Sequence, residues 1–221
     1  MKSLAVLLAG SAFALASNAA IVSGGSFSNA MQPTEISQVG SLGLFDSTLG
    51  TLTSFSLTFS GKLSTSITLT NNSSGAGLAQ GDTTVDLFMT SSIAALNGII
   101  SNPVVSLAGS TGLQNLAAGQ TLTFGPLTAN GGTTLTSSLA GVLAALSQSG
   151  GGNFTLDCSS ISGFAGKGAN GNLASSQTTE AACGADIAYT YTERTTQVPE
   201  PGALALVGIA LVGLAMARRK A

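Results

Sequence analysis

The chain has 221 residues, of which only 7% are charged and none is histidine or tryptophan, and its formal net charge is −2. Because soluble domains usually carry roughly 25% charged residues, this composition predicts a neutral surface rich in serine and threonine. The missing histidine excludes Ser-His-Asp and Cys-His catalytic sites. The lack of clustered lysines and arginines argues against a nucleic-acid partner.

The N-terminal segment, residues 1–19, has the pattern of a secretory signal peptide. Lys2 is followed by an apolar run over residues 4–16 and then by small residues that include Ala19 and Ala20. Signal peptidase recognises this order of features, which predicts a cut after Ala19 or Ala20. The alternative is that this segment forms a buried helix of the fold.

Alternation of apolar and hydroxyl residues predicts β-strands in the middle of the chain. Between residues 51 and 73, serine and threonine fill nearly every even position, and the odd positions hold the apolar residues Phe55, Leu57, Phe59, Leu63, Ile67 and Leu69. A period of two places one face of a strand against the core and the other in solvent. Gly61 and Lys62 either bend this strand or divide it into two.

Further alternating runs follow at residues 85–89, 122–127, 154–156 and 187–191. Pro126 predicts the end of its strand, because proline cannot donate a hydrogen bond to a neighbouring strand. These runs, with turn-forming residues between them, predict a β-sandwich.

One segment has the period of a helix instead. Its apolar residues lie at i, i+3, i+4 and i+7, namely Leu139, Val142, Leu143 and Leu146. We expect Ser137 or Ser138 to cap the start of this helix and Gly150 to end it. A second candidate for a helical turn is residues 93–96.

The predicted fold is therefore all-β, with one domain over residues 20–197. It is a β-sandwich of short antiparallel strands with one short helix, flanked by an N-terminal signal helix and a C-terminal apolar helix.

The two cysteines, Cys158 and Cys183, both lie in this domain. In an exported protein an even pair predicts a disulfide, here closing a loop of 24 intervening residues. Such a link stabilises the fold by about 3 kcal/mol in the chain-entropy view. The alternative, a reactive thiol, needs a base or cation beside the sulfur.

Candidates for chemistry are weak. Asp82 and Asp86 lie four residues apart and are a poor calcium signal, since solvated aspartates in a turn explain them better. A Ser-Lys site would need Lys62 or Lys167, and nothing pairs two carboxylates as a glycosidase requires. We therefore expect no catalytic activity, no cofactor and no resident metal.

The C-terminal 24 residues, 198–221, carry three features in a fixed order. A short motif comes first, an apolar run over residues 203–217 follows, and a basic cluster ends the chain. The motif residues are Val198, Pro199, Glu200 and Pro201, and the basic residues are Arg218, Arg219 and Lys220. Together with the signal peptide, this order resembles a PEP-CTERM sorting signal.

The resemblance implies a Gram-negative exporter and an exosortase, a membrane protease-transpeptidase that recognises residues 199–201. It also implies an association with exopolysaccharide and biofilm. The apolar run has 15 residues, about 22 Å as a helix, which is short of the ~30 Å hydrocarbon core. This length suits transient anchoring in the inner membrane, with the basic cluster in the cytoplasm. The alternative is a permanent single-span anchor.

A second resemblance covers the domain itself. The segment LGLFDSTLGTLTSFSLTFSG, residues 42–61, and the later run ADIAYTYT, residues 185–192, are similar to the choice-of-anchor E domain. This resemblance implies a surface module found with different anchors. It identifies no functional residues.

The sequence thus predicts an exported, non-enzymatic surface or extracellular-matrix protein that is an exosortase substrate. One alternative is a glycan-binding adhesin or carbohydrate-binding module that uses Tyr189 or Tyr191, although these tyrosines also fit a core position. Another is a polysaccharide hydrolase.

Overall fold

The computed structural model describes residues 19–168, 171–194, 207–209, 211 and 218. The predicted signal helix lies outside the described residues, and so does most of the predicted C-terminal helix. Residues 207–209 and 211 are helical. Within the described parts of the chain, no helix is long and apolar enough to cross a membrane.

The described residues form mainly β-strands, as the sequence predicts. The strands are β1 (Ala19–Ser28), β2 (Gln32–Pro33), β3 (Ser37–Gly43), β4 (Phe45–Asp46), β5 (Gly50–Asn71), β6 (Gly77–Ser91), β7 (Val105–Ser110), β8 (Gln114–Leu116), β9 (Thr121–Ser137), β10 (Ser147–Gln148), β11 (Asn153–Gly168) and β12 (Leu173–Glu193). The helices are α1 (Ala94–Asn97) and α2 (Ala140–Ala145).

Most strands belong to two antiparallel sheets. The first sheet has the order β1-β12-β5-β9, with β2 also paired to β12. The second has the order β3-β11-β6-β7, with β8 also paired to β6. A short parallel pair joins β4 and β10.

Both sheets contribute to a large shared hydrophobic core. Its buried side chains include Leu57 and Ile187 from the first sheet and Leu87 and Leu156 from the second. Each fully buried leucine or isoleucine stabilises the fold by roughly 1.5–3 kcal/mol relative to an exposed one. The facing of two antiparallel sheets around a shared core is consistent with the predicted β-sandwich.

The prediction of short strands is wrong for the central strands of the first sheet. β5 has 22 residues and β12 has 21. Gly61 does not divide β5, which runs unbroken through it. The missing side chain of Gly61 leaves room for the second sheet. A Cβ atom built at Gly61 would overlap the side chain of Leu87 on β6.

Pro126 also does not end its strand, contrary to prediction. β9 lies at the edge of the first sheet, where a missing N–H group is tolerated. The pairing of β9 with β5 shifts register between Thr65 and Ile67, opposite this proline. This irregularity accommodates Pro126 within the strand, and β9 continues to Ser137.

The predicted helix is present as α2, with Val142 buried and Leu146 buried directly after it. Its caps differ from prediction. Leu139 is the N-cap residue, with no side-chain capping bond, and the C-cap is Leu146 rather than Gly150. Residues 94–97 form a second short helix, α1, at the place of the second candidate turn, residues 93–96. The fold class with one short helix is therefore one helix short among the described residues.

The structure joins Cys158 and Cys183 in a disulfide. Cys158 belongs to β11 of the second sheet, and Cys183 belongs to β12 of the first. Both residues are buried in the shared core. The bond therefore connects the two sheets through the interior.

Candidate functional site

One end of the domain is where the chain leaves for the sorting signal. β12 ends at Glu193, which pairs with Gly50 at the start of β5. Ala19, at the start of β1, pairs with Thr192. We call this the tail-proximal end, since Val198 follows Arg194 by four positions in the sequence.

Of the predicted sorting residues, only Arg218 is among the described residues, and it is exposed. The predicted motif and the other two basic residues lie outside them. These are Val198, Pro199, Glu200, Pro201, Arg219 and Lys220. The predicted signal-peptidase residues, Ala19 and Ala20, are the first two residues of β1.

A buried aromatic group lies at the tail-proximal end. The Phe45 ring centroid is 5.2 Å from that of Tyr191 and 5.8 Å from that of Tyr189. The Tyr189 hydroxyl donates a hydrogen bond of 2.7 Å to the carbonyl oxygen of Gly43. Burial raises the pKa of Tyr189 well above its ordinary value.

These contacts have two consequences. The two segments that resemble the choice-of-anchor E domain meet in space, because Phe45 belongs to one and both tyrosines to the other. Tyr189 is 1% exposed and Tyr191 is 9% exposed. Neither ring is accessible to a sugar. The prediction that Tyr189 or Tyr191 binds a glycan is therefore wrong.

Asp46 organises the turn beside this aromatic group. Its Oδ1 atom accepts hydrogen bonds from the backbone N–H of Thr48 at 2.9 Å, the Thr48 hydroxyl at 2.8 Å and the backbone N–H of Gly150 at 2.9 Å. The Thr48 bonds, then the Gly150 bond, lower the pKa of Asp46. The carboxylate thereby ties the turn before β5 to the loop before β11.

A cleft of about 350 Å³ opens at the same end, between α2 and the start of β5. Its lining is Ser47, Gly50, Thr51, Leu52, Ala140, Leu143, Ala144, Ser147 and Arg194. Two smaller clefts of about 160 and 150 Å³ lie elsewhere in the described part of the chain. None of the three is lined by an aspartate or glutamate, so they provide no carboxylate pair of the glycosidase kind.

The weak calcium candidates are not brought together. Asp82 and Asp86 point from the same face of β6, about 13 Å apart along the strand. Asp82 accepts hydrogen bonds from Ser110 at 2.6 Å and Gln80 at 2.7 Å, which lower its pKa. Asp86 accepts one from Ser106 at 2.5 Å. The described residues contain no group of three histidines, cysteines or acids that could hold a metal.

The two lysines do not form a Ser-Lys site. Lys167 Nζ lies 3.3 Å from Asp82 Oδ2, and the Lys167 side chain is largely exposed. Such a surface ion pair contributes little to stability. Lys62 is exposed on β5, on the polar side that the alternation predicts.

The outer face of the first sheet is an extended array of hydroxyl groups, which we call the hydroxyl face. Its serines and threonines include Ser176 and Thr178 on β12, Ser56, Thr58, Ser60, Ser64, Ser66, Thr68 and Thr70 on β5, and Thr121, Thr123, Thr128, Thr134 and Thr136 on β9. The charged side chains that share this face are Lys62, Glu180 and Asp186.

Three threonine pairs cross from β5 to β9 on this face. The oxygen–oxygen distances are 3.1 Å for Thr58–Thr134, 2.8 Å for Thr68–Thr123 and 2.9 Å for Thr70–Thr121. Each pair fixes the rotamers of two hydroxyl groups and leaves further hydrogen-bonding capacity toward solvent. The sequence predicts the polar face of β5, but the pairing with β9 depends on a register that no local pattern reveals.

Comparison with known proteins identifies a sorting motif at the end of the sequence. Residues 197–220 match the PEP-CTERM protein-sorting motif. The chain therefore carries a PEP-CTERM sorting signal, as predicted, and this signal implies an extracellular protein targeted to an exosortase. No curated protein matches the chain.

Similarity to solved structures is slight. The T13 viral particle of IBDV is 13% identical with a TM-score of 0.16, covering 88% of this chain and 46% of that one. The VP2 subviral particle of infectious bursal disease virus is 13% identical with a TM-score of 0.20, covering 80% and 37%. The parasporin-2 toxin of Bacillus thuringiensis is 10% identical with a TM-score of 0.18, covering 79% and 69%. The chain thus spans about half or less of the length of the viral chains. TM-scores this low do not establish a shared fold.

The structural role of Asp46 can be tested by its pH dependence. Hydrogen bonds lower the folded-state pKa of Asp46 below the ordinary value of 3.8. The full contribution of Asp46 to the stability of the fold is therefore present above that value. The contribution is lost as the pH falls through the lower folded-state pKa. We expect Asp46→Ala to lower the midpoint of thermal unfolding at pH 7, and the difference from wild type to shrink in acid.

The matched control is Asp157→Ala, since Asp157 is exposed and its carboxylate accepts no hydrogen bond from any described residue. This variant should unfold close to wild type at both pH values. An Asp46→Ala midpoint equal to that of the control at pH 7 would contradict the role.

Proposed function

We propose that this protein is an exported, non-enzymatic component of the cell surface or extracellular matrix of a Gram-negative bacterium, delivered by an exosortase. The match of residues 197–220 to the PEP-CTERM motif carries this proposal. The signal peptide pattern at the other end of the chain supports the same route.

The tail then acts in two steps. After signal peptidase has acted, residues 203–217 lie temporarily in the inner membrane, with Arg218, Arg219 and Lys220 held in the cytoplasm. The described helical residues Val207, Ile209 and Leu211 are each more than half exposed, which suits a lipid environment. The exosortase recognises residues 199–201 at the outer face and separates the domain from its anchor.

We further propose that residues 20–197 form a choice-of-anchor E-like module. The aromatic contacts between Phe45 and the two tyrosines support this assignment, because they join the two segments that carry the resemblance. Both ends of the domain lie at the tail-proximal end, an arrangement that lets different anchors follow the same module.

The matrix partner we propose is exopolysaccharide, bound by the hydroxyl face. Paired hydroxyl groups on a rigid sheet can exchange hydrogen bonds with sugar hydroxyls, and the few charges on this face suit a neutral chain. This face is the feature that also favours the alternative of a glycan-binding adhesin, with threonines in place of the buried tyrosines.

Sorting can be tested with variants of the motif. We expect a chain with Pro199→Ala, Glu200→Ala and Pro201→Ala to remain in the inner-membrane fraction as the uncleaved precursor, because the exosortase no longer recognises it. Wild-type protein should leave that fraction. Immunoblotting of fractionated cells measures both.

A matched control replaces residues outside the motif but in the same tail, Gly208→Ala and Gly213→Ala, and should be released like wild type. Normal release of the triple motif variant would contradict exosortase sorting.

Polysaccharide binding can be tested by removing hydroxyl groups at constant side-chain size. We expect exported protein with Thr58→Val and Thr68→Val to bind the exopolysaccharide of its own bacterium roughly tenfold or more weakly, since each lost hydrogen bond is worth about 1 kcal/mol. Co-sedimentation measures the affinity.

The control is Thr84→Val with Thr90→Val, which removes two exposed hydroxyls from β6 of the second sheet. It should bind like wild type. Equal binding by both double variants would show that the hydroxyl face does not bind the exopolysaccharide.

A further inference from the structure

The tail-proximal end carries exposed apolar side chains. Leu49 is 42% exposed and Leu139 is 56% exposed. Leu49 precedes Gly50, and Leu139 precedes Ala140; Gly50 and Ala140 both line the large cleft. We call Leu49, Leu139, Ala140, Leu143 and Ala144 the tail-proximal patch.

The sorting signal fixes where this patch must be while the tail is inserted. Arg194 lines the same cleft, and its N–H group donates to the carbonyl oxygen of Leu49 at 3.3 Å. The apolar run begins nine positions later, at Ala203. Nine extended residues span at most about 30 Å, so the patch cannot be farther than that from the bilayer.

The charges near the patch permit contact with lipid. Arg194 provides a cation for phosphate groups, and Glu193 and Asp46 are the nearby acids. The Asp46 carboxylate already accepts three hydrogen bonds. The lining of the cleft adds only hydroxyl and apolar side chains, which enter an interfacial region at little desolvation cost.

We propose that the tail-proximal patch rests on the phospholipid headgroups of the inner membrane before the protein is cleaved. Leu49 and Leu139 enter the interface, and Arg194 contacts lipid phosphates. This inference rests on the proposed transient insertion of the tail. Because the tether holds the patch at an effective concentration in the millimolar range, weak intrinsic affinity is sufficient.

Such a contact gives the domain a fixed orientation. The strand β5 has 22 residues, about 70 Å in length, and starts at the patch. With the patch on the lipid, Arg194 lies at the membrane surface, seven positions before Pro201 in the sequence. The recognised residues are then presented to a membrane-embedded protease rather than held away from it.

The absence of tryptophan from the sequence allows a direct test. The full chain with its tail is reconstituted into vesicles of phosphatidylethanolamine and phosphatidylglycerol whose acyl chains carry bromine, a short-range quencher. Leu139→Trp places a unique reporter in the patch. Leu113→Trp is the matched control, since Leu113 is 67% exposed and lies beside β8, at the end of the domain opposite the patch.

We expect fluorescence of the Leu139→Trp reporter to be quenched several-fold more strongly than that of the Leu113→Trp reporter. Adding Leu49→Ser and Arg194→Gln to the Leu139→Trp chain should reduce its quenching to the level of the distal control. Flotation of each chain with the vesicles verifies that the tail is inserted.

Equal, weak quenching at both reporters in chains that float would overturn the proposal while leaving exosortase sorting intact. Failure of the chains to float would overturn both the patch contact and the tail insertion it rests on. Slower processing of Leu139→Ser in cells, with equal quenching of the two reporters, would assign the patch to the exosortase instead of lipid.

Discussion

The rest of the structure depends on the long antiparallel pairing of β5 with β12, from Gly50↔Glu193 to Asn71↔Leu173. These strands are central in the first sheet, and their inner residues supply much of the shared core. The pairing also sets Cys183 opposite Gly61, where a residue without a side chain lets the second sheet approach. The disulfide then joins the sheets at this level.

The same pairing separates the proposed functions in space. It brings the exit of the chain, the Phe45 aromatic group and the tail-proximal patch to one end of the domain. It leaves the outer side of β5 and its neighbours free as a broad polar face. Delivery and matrix contact can therefore use different surfaces, so cleavage of the tail need not disturb the face that remains.

How far the sequence predicts this arrangement depends on the range of each signal. The sorting motif is contiguous and is recognised from residues alone. The alternation in β5 predicts its buried and exposed sides, including Lys62. Strand length and the passage of β9 through Pro126 are missed, because an edge position and a register shift offset local strand-breaking residues. The burial of Tyr189 and the threonine pairs depend on partners more than 50 positions away, which no local pattern specifies.

The central claim is that the tail is read and removed, so that a domain and not a membrane protein reaches the cell surface. The most direct measurement is mass spectrometry of the C-terminal peptides of the wild-type protein recovered from outside the cells. The account predicts that no peptide extends beyond about Pro201. Recovery of peptides from the apolar run and of the Arg218–Lys220 end as the major species would contradict it.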